Sequence, residues 1–232
     1  MKIVGVTPVK MNNVRTPGKN TKLLSDGTPL IHLIQKAMLN IPEIDDYYVY
    51  CSNEKIQDFL LEGTKYMKRD TMFDTAEADV IEMMYQFSLL VDADVYIQIH
   101  ATTPFISSKS IQKGIEMIKK GYDSTFAVKK MQDFLWTNEK PLNYSLEKIP
   151  RTQDMQPFFI ETTGMYIYTK DVIQKLHRRI GNNPYLLEVS EIESIDIDDP
   201  IDFEIADAIY SQIIVPHCEN TQKANCTTGG QH

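Results

Sequence analysis

Three cysteines stand among 232 residues, Cys51, Cys218 and Cys226. Their number is odd and they form no disulfide framework, so a reducing cytoplasm is the expected compartment. No apolar run approaches the roughly 18–20 residues that a membrane span needs. The chain starts on a strand-like run rather than a basic segment followed by an apolar one, so no signal peptide is expected. Without secretion the sequon Asn225-Cys226-Thr227 carries no weight. Basic residues are outnumbered 24 to 32, for a net charge of −8. That argues against a general nucleic-acid binder, which would show a basic surface, yet leaves room for a local anion pocket. Two phosphate-binding signatures are also missing, GxxxxGK[ST] and GxGxxG, which leaves a dehydrogenase little support. There is no internal repeat.

The apolar fraction of 42% suffices for a sizeable core. Strand-like segments are predicted at Lys2–Thr7, Tyr47–Ser52, Asp94–His100, Ser124–Val128, Phe158–Tyr168 and Ile192–Asp198. Helical periodicity occupies Leu30–Asn40, Ala78–Val91, Lys109–Lys119, Asp171–Arg178 and Ile201–Ile213. This alternation predicts one α/β domain over residues 1–215, with a mostly parallel sheet covered on both faces. Ligands then sit at the carboxyl ends of strands. The stretch 129–156 breaks the alternation. It is polar and aromatic, and is either a partner contact or a hairpin folded back on its own domain. Residues 216–232 read as a disordered tail or a vector remnant.

Four groups of residues could carry chemistry. After the first strand, Lys10, Arg15, Lys19 and Lys22 fall close together around the turn-competent Pro17-Gly18, where cations and backbone N–H groups can converge on a phosphate. A solvated surface loop is the plainer explanation. Asp196 and Asp198 alternate with isoleucines, and on a strand they would share a face. Two carboxylates plus substrate phosphates are the usual setting for Mg²⁺. Asp199, before Pro200, reads as a helix cap. Gln98 and His100 end the central strand, where His100 either binds substrate or satisfies a local hydrogen bond. Arg151 with Gln153, and Arg178-Arg179, offer guanidinium groups for an acidic ligand. For Arg178-Arg179, a favourable charge at a helix C-terminus is the simpler reading.

Together these pieces resemble the acylneuraminate cytidylyltransferase family, the CMP–sugar synthetases, over nearly the whole chain to about Val215. The family's IPARGGSKGIPGKN is similar to Thr7-Pro8-Val9-Lys10, six further residues, then Pro17-Gly18-Lys19-Asn20. Arg15-Thr16-Pro17-Gly18-Lys19 also resembles the RLPGK of CMP–Kdo synthetases. LQPTSPLR corresponds to His100 through Phe105, NGAIYIF to Thr163 through Tyr168, and SIDIDTPEDFELAE to Ser194 through Asp207. Lys10 replaces the family's arginine, Met11 and Asn12 its two glycines, and His100 its glutamine.

The resemblance implies a Rossmann-like nucleotidyltransferase fold, CTP as co-substrate and Mg²⁺ as cofactor. It implies transfer of CMP to an acidic, sialic-acid-like sugar with release of pyrophosphate, in polysaccharide biosynthesis. It also implies a homodimer, with 129–156 as the extension that reaches the partner's site. Lys10, Arg15, Lys19 and Asp198 are the expected catalytic residues. Pro8, Val9, Lys10, Asn20, Arg69 and Ala101 are assigned to the nucleotide. Gln98, His100, Thr102, Arg151 and Gln153 are assigned to the acceptor, and Asp196 with Asp198 to the metal. The acidic small-molecule acceptor has alternatives, Kdo or a non-sugar phosphonate or polyol phosphate, and a nucleotide-binding homologue without catalysis is the remaining reading. Neither a nucleic acid nor a membrane is an expected partner.

Overall fold

The computed structural model describes residues 1–216 apart from Val14 and Ala76. The tail 217–232, with Cys218 and Cys226, lies outside the described residues. Strands β1 (Ile3–Val9), β2 (Asp46–Cys51), β3 (Thr64–Lys68), β4 (Val95–Ile99), β5 (Ser124–Met131), β6 (Phe158–Thr169) and β7 (Pro184–Glu188) form one sheet in the order β3-β2-β1-β4-β6-β5-β7. Only β6 runs against its neighbours. Helices α1 (Ile31–Leu39), α2 (Val80–Leu90), α3 (Ser108–Lys119), α4 (Lys170–Leu176) and α5 (Pro200–Ile209) cover it.

Two apolar clusters lie on opposite faces of the sheet. One joins Ile31, Ile34 and Met38 of α1 with Ile111, Ile115 and Ile118 of α3. The other joins Met83, Met84 and Phe87 of α2 with Val172 and Ile173 of α4. A third cluster, with Leu24, Leu30, Phe105, Ile197 and Phe203, lies between α5 and the loops that follow β1 and β4. It is what pins the chain's C-terminal acidic segment to the ligand end of the sheet.

β1 pairs with β2 on one side and β4 on the other, both parallel. The chain therefore winds in opposite directions from β1, and the carboxyl ends of β1 and β4 border a crevice.

The sequence expectation holds for five strands and for all five helices to within a few residues. It misses β3 and β7, which are the two edges of the sheet. Each is five residues long; β3 carries two lysines and β7 opens on a proline. Edge strands tolerate such residues because one of their sides has no ladder to maintain.

The predicted strand Ile192–Asp198 does not form. Ser194 and Ile195 donate their N–H groups to Ser190 and Ile192 in turns, and Ile197 donates to the Thr102 carbonyl at 2.8 Å. The Asp198 N–H goes to the Asp202 carboxylate at 3.0 Å. With its donors spent on turns and a cap, the segment has no ladder to offer. Asp199 is the N-cap of α5 as expected, in a reciprocal capping box with Asp202.

Candidate active site

The second half of the loop after β1, from Arg15 to Asn20, is held by bonds within the chain. Gly18 takes φ 66° at the head of a short 3₁₀ turn, Lys19–Thr21. This left-handed turn suits glycine and swings the Lys19 side chain inward. Lys19 is 9% exposed, and its ammonium donates to the Ile197 carbonyl at 2.6 Å and to Asp198 Oδ1 at 3.2 Å. Arg15 reaches the same Oδ1 at 2.8 Å. The Thr16 hydroxyl donates to the Asp198 carbonyl at 2.9 Å. Asn20 folds its side-chain amide back onto the Lys10 carbonyl at 2.9 Å.

The Lys10 ammonium has no hydrogen bond or ion pair among the described residues. Lys22 is taken up by the Phe203 ring, 4.0 Å from its centroid. Val9 and Ala101 are buried, so each offers a ligand only its backbone. Pro8 lies at the carboxyl end of β1, while the Thr102 carbonyl holds the acidic segment.

Asp196 and Asp198 do come to one end of the sheet, though not through strand alternation. Buried Ile197, anchored to Thr102, leaves its two neighbours at the crevice. Asp196 Oδ2 accepts from the Thr163 hydroxyl at 3.0 Å. Its Oδ1 is buried with no hydrogen-bond partner. A buried, unsatisfied carboxylate oxygen is costly unless a cation meets it. Hard oxygen donors of this kind suit Mg²⁺. No cluster of three or more acidic, His or Cys ligands occurs among the described residues. Any ion here would take its remaining ligands from phosphates and water.

At the end of β4, fully buried Gln98 and half-buried His100 face each other, with 2.9 Å between Gln98 Nε2 and His100 Nε2. The Tyr168 hydroxyl donates to Gln98 Oε1 at 3.4 Å. With the Gln98 amide nitrogen placed toward His100 it is the donor, and the imidazole then carries its proton on Nδ1. Burial, and then the charges of Arg179 and Lys19, push the His100 pKa down to about 4. His100 is therefore neutral at neutral pH. The chain reversal here leaves no room at Gly164, where a Cβ would lie 2.4 Å from Thr103 Oγ1.

Arg69 is 3% exposed. It is paired with Asp74, which also accepts from the Ser52 hydroxyl at 2.7 Å. Its Nε is buried without a partner. Lys68 and Thr71 beside it share a cleft with Asn12 from the loop after β1.

Arg151 and Gln153 are not brought to these groups. Both lie exposed on the arm that joins β5 to β6, and Arg151 is paired with Asp154 at 2.8 Å. Arg179 corrects the reading of Arg178-Arg179 as helix-terminal charge. α4 ends at Leu176, and Arg179 lies beyond it with its guanidinium 3.8 Å from the Tyr166 ring centroid. The missed signal was His177, which adopts a left-handed conformation (φ 52°) and turns the chain back to the sheet.

The family model for cytidylyltransferases matches residues 5–221. The chain belongs to the cytidylyltransferase family. One relative, N-acylneuraminate cytidylyltransferase A of Danio rerio, is 29% identical over 202 residues, 82% of this chain and 46% of its own length. The chain thus spans about half the length of that cytidylyltransferase. CMP-N,N'-diacetyllegionaminic acid synthase of Legionella pneumophila is 28% identical over 225 residues, 90% of this chain and 96% of its own. A solved CMP:2-keto-3-deoxy-manno-octonic acid synthetase complexed with CTP superposes with a TM-score of 0.70 at 16% identity, over 91% of this chain and 99% of that one. The last likeness bears on the fold, which is that of a Rossmann-like cytidylyltransferase. No helix among the described residues is long and apolar enough to cross a membrane.

Proposed function

We propose that this cytidylyltransferase transfers CMP from CTP to a sugar acid of the nonulosonic class, releasing pyrophosphate. The knot of Arg15, Lys19 and Asp198 at the carboxyl end of β1 carries this reading, because it presents fixed charge where a triphosphate would lie. Lys10, Arg15 and Lys19 hold the triphosphate. Asn20, by bracing the Lys10 carbonyl, sets the course of the loop. Arg69 and the cleft beside Asn12 take the nucleoside end. An acceptor hydroxyl attacks the α-phosphorus. A new O–P bond forms, the bond to the β-phosphate oxygen breaks, and pyrophosphate leaves with its electron pair. The hydroxyl proton goes to solvent. His100 donates from Nδ1 to the acceptor and stays neutral while it does so. Catalysis is positioning plus fixed charge on a developing anion.

Asp196 and Asp198 are the residues that would hold Mg²⁺, which when bound supplies a Lewis acid to the phosphate oxygens. The orphaned Asp196 oxygen supports this assignment.

The arm would complete the site across a homodimer. β5 and β6 run on past the sheet as a ribbon, with Phe158, Phe159 and Ile160 each more than 40% exposed. Beyond them Trp136 donates to the Tyr144 hydroxyl at 2.7 Å, so the arm closes on itself. Phe134, Trp136, Leu142, Leu146 and Ile149 remain exposed. Apolar groups in this density fit a second copy of the chain.

The test is pyrophosphate release from CTP with a panel of sugar acids and their neutral parent sugars. Release with at least one acid, and none when ATP replaces CTP, is the expected result. A panel without turnover would overturn the reading.

A further inference from the structure

Cytidylyl transfer to a sugar acid requires something to hold the acid group away from the triphosphate. Most cations at this end of the sheet are taken, either by the triphosphate site or by a carboxylate of the chain. Arg15 and Lys19 share Asp198. Lys129 is paired with Glu191. Arg151 spends its fork on both oxygens of Asp154, at 2.8 and 3.2 Å, out on the arm.

Arg179 differs. Its guanidinium lies over the Tyr166 ring, 3.8 Å from the centroid, and its side chain is 21% exposed. Stacking on an aromatic face fixes the plane of the fork before any ligand arrives. Its single hydrogen bond among the described residues is a long one, from Nη2 to Glu161 Oε1 at 3.4 Å. That same oxygen already accepts from the Tyr166 hydroxyl. Four of the five guanidinium N–H groups are therefore left to offer.

The location is also right. Tyr166 is the β6 partner of Gln98 in the sheet register, and Gln98 contacts His100. Arg179, Tyr166, Gln98 and His100 thus form one contiguous row at the end of β4, in which Tyr166 and Gln98 are buried and Arg179 and His100 are the two members left partly open. The charges of both Arg179 and Lys19 reach His100.

We propose that Arg179 is a specificity-determining residue that grips the acceptor's carboxylate through its fork, with the sugar lying over His100 and its attacking hydroxyl toward the Lys19–Asp198 corner. This rests on the reading of the protein as a sugar-acid cytidylyltransferase. The carboxylate displaces the long Glu161 contact and gains two charge-assisted hydrogen bonds in its place.

The experiment compares a sugar acid with its carboxamide at saturating CTP, in the wild type, Arg179→Gln and Arg179→Lys. Wild type is expected to favour the acid in kcat/KM by on the order of tenfold to a hundredfold. In Arg179→Gln that preference collapses toward unity through a raised acceptor KM, with the KM for CTP unchanged. Arg179→Lys keeps part of it, since charge survives and the fork does not. A general loss of structure would lower turnover of both acceptors without changing their ratio. Retention of the wild-type ratio in Arg179→Gln would overturn the assignment of Arg179 while leaving the activity intact. A wild type that turns over neither compound, nor any other sugar acid, would overturn the underlying reading and this inference with it.

Discussion

The phosphate corner and the arm solve opposite problems. In the corner, Arg15, Thr16 and Lys19 meet Ile197 and Asp198 across about 180 residues of sequence, every one of them bonded within the chain. In the arm, Trp136, Leu142, Leu146 and Ile149 face outward with more than half of their surface open. A binding site for a highly charged ligand gains from being built before the ligand arrives, because its dipoles and cations then need no reorganisation. The apolar side chains of the arm gain nothing from exposure in one chain. Their exposure is what the proposed second copy of the chain would cover.

The largest expected effect comes from breaking the corner. Asp198→Asn keeps the shape but removes the anion on which Arg15 and Lys19 converge. We expect kcat for pyrophosphate release to fall by on the order of a hundredfold to a thousandfold. Full activity in this variant would remove Asp198 from the site.

Breaking the arm comes next. Phe159→Lys with Ile160→Lys places charge on the exposed ribbon. For the homodimer proposed above, sedimentation should then show half the wild-type mass, with the melting temperature of the single domain retained. An unchanged mass would mean that the ribbon is not the interface.

Asp196→Asn tests the contrast inside the corner, between a carboxylate with one oxygen held by two cations and one left with an orphan oxygen. The Mg²⁺ concentration for half-maximal rate should rise by about tenfold, as expected for loss of one charged ligand among several. The smallest effect concerns His100. Its folded pKa of about 4 lies below the ordinary 6.5, so the fold favours the neutral ring. Stability is then complete above about pH 6.5 and falls as pH drops toward 4. At pH 5, His100→Gln should recover about 1 kcal/mol of that loss, read as a flatter melting temperature against pH. A slope as steep as that of the wild type would contradict it, once allowance is made for His32, which burial also depresses.

Periodicity was a sound guide wherever an element buries a face. α3 shows its apolar spacing at Ile111, Ile115 and Ile118, and all three are in the core. It failed at Ile192–Asp198, where alternation looked like a strand. There the isoleucines serve a small cluster against α5, and the backbone donors go to turns and a cap. It failed again at β3 and β7, where an edge relaxes the demand for apolar residues.

The sequence alone determined the α/β class, the charged loop after the first strand, the cap at Asp199 and the family to which the chain belongs. Each of these is written in local spacing or in short ordered motifs. The tertiary structure alone decided where each cation sits and what it faces. It tied Arg15 and Lys19 to Asp198, sent Arg151 out along the arm and laid Arg179 on Tyr166. A side chain's partners depend on which distant residues the fold brings within hydrogen-bond reach, and one-dimensional spacing does not carry that information.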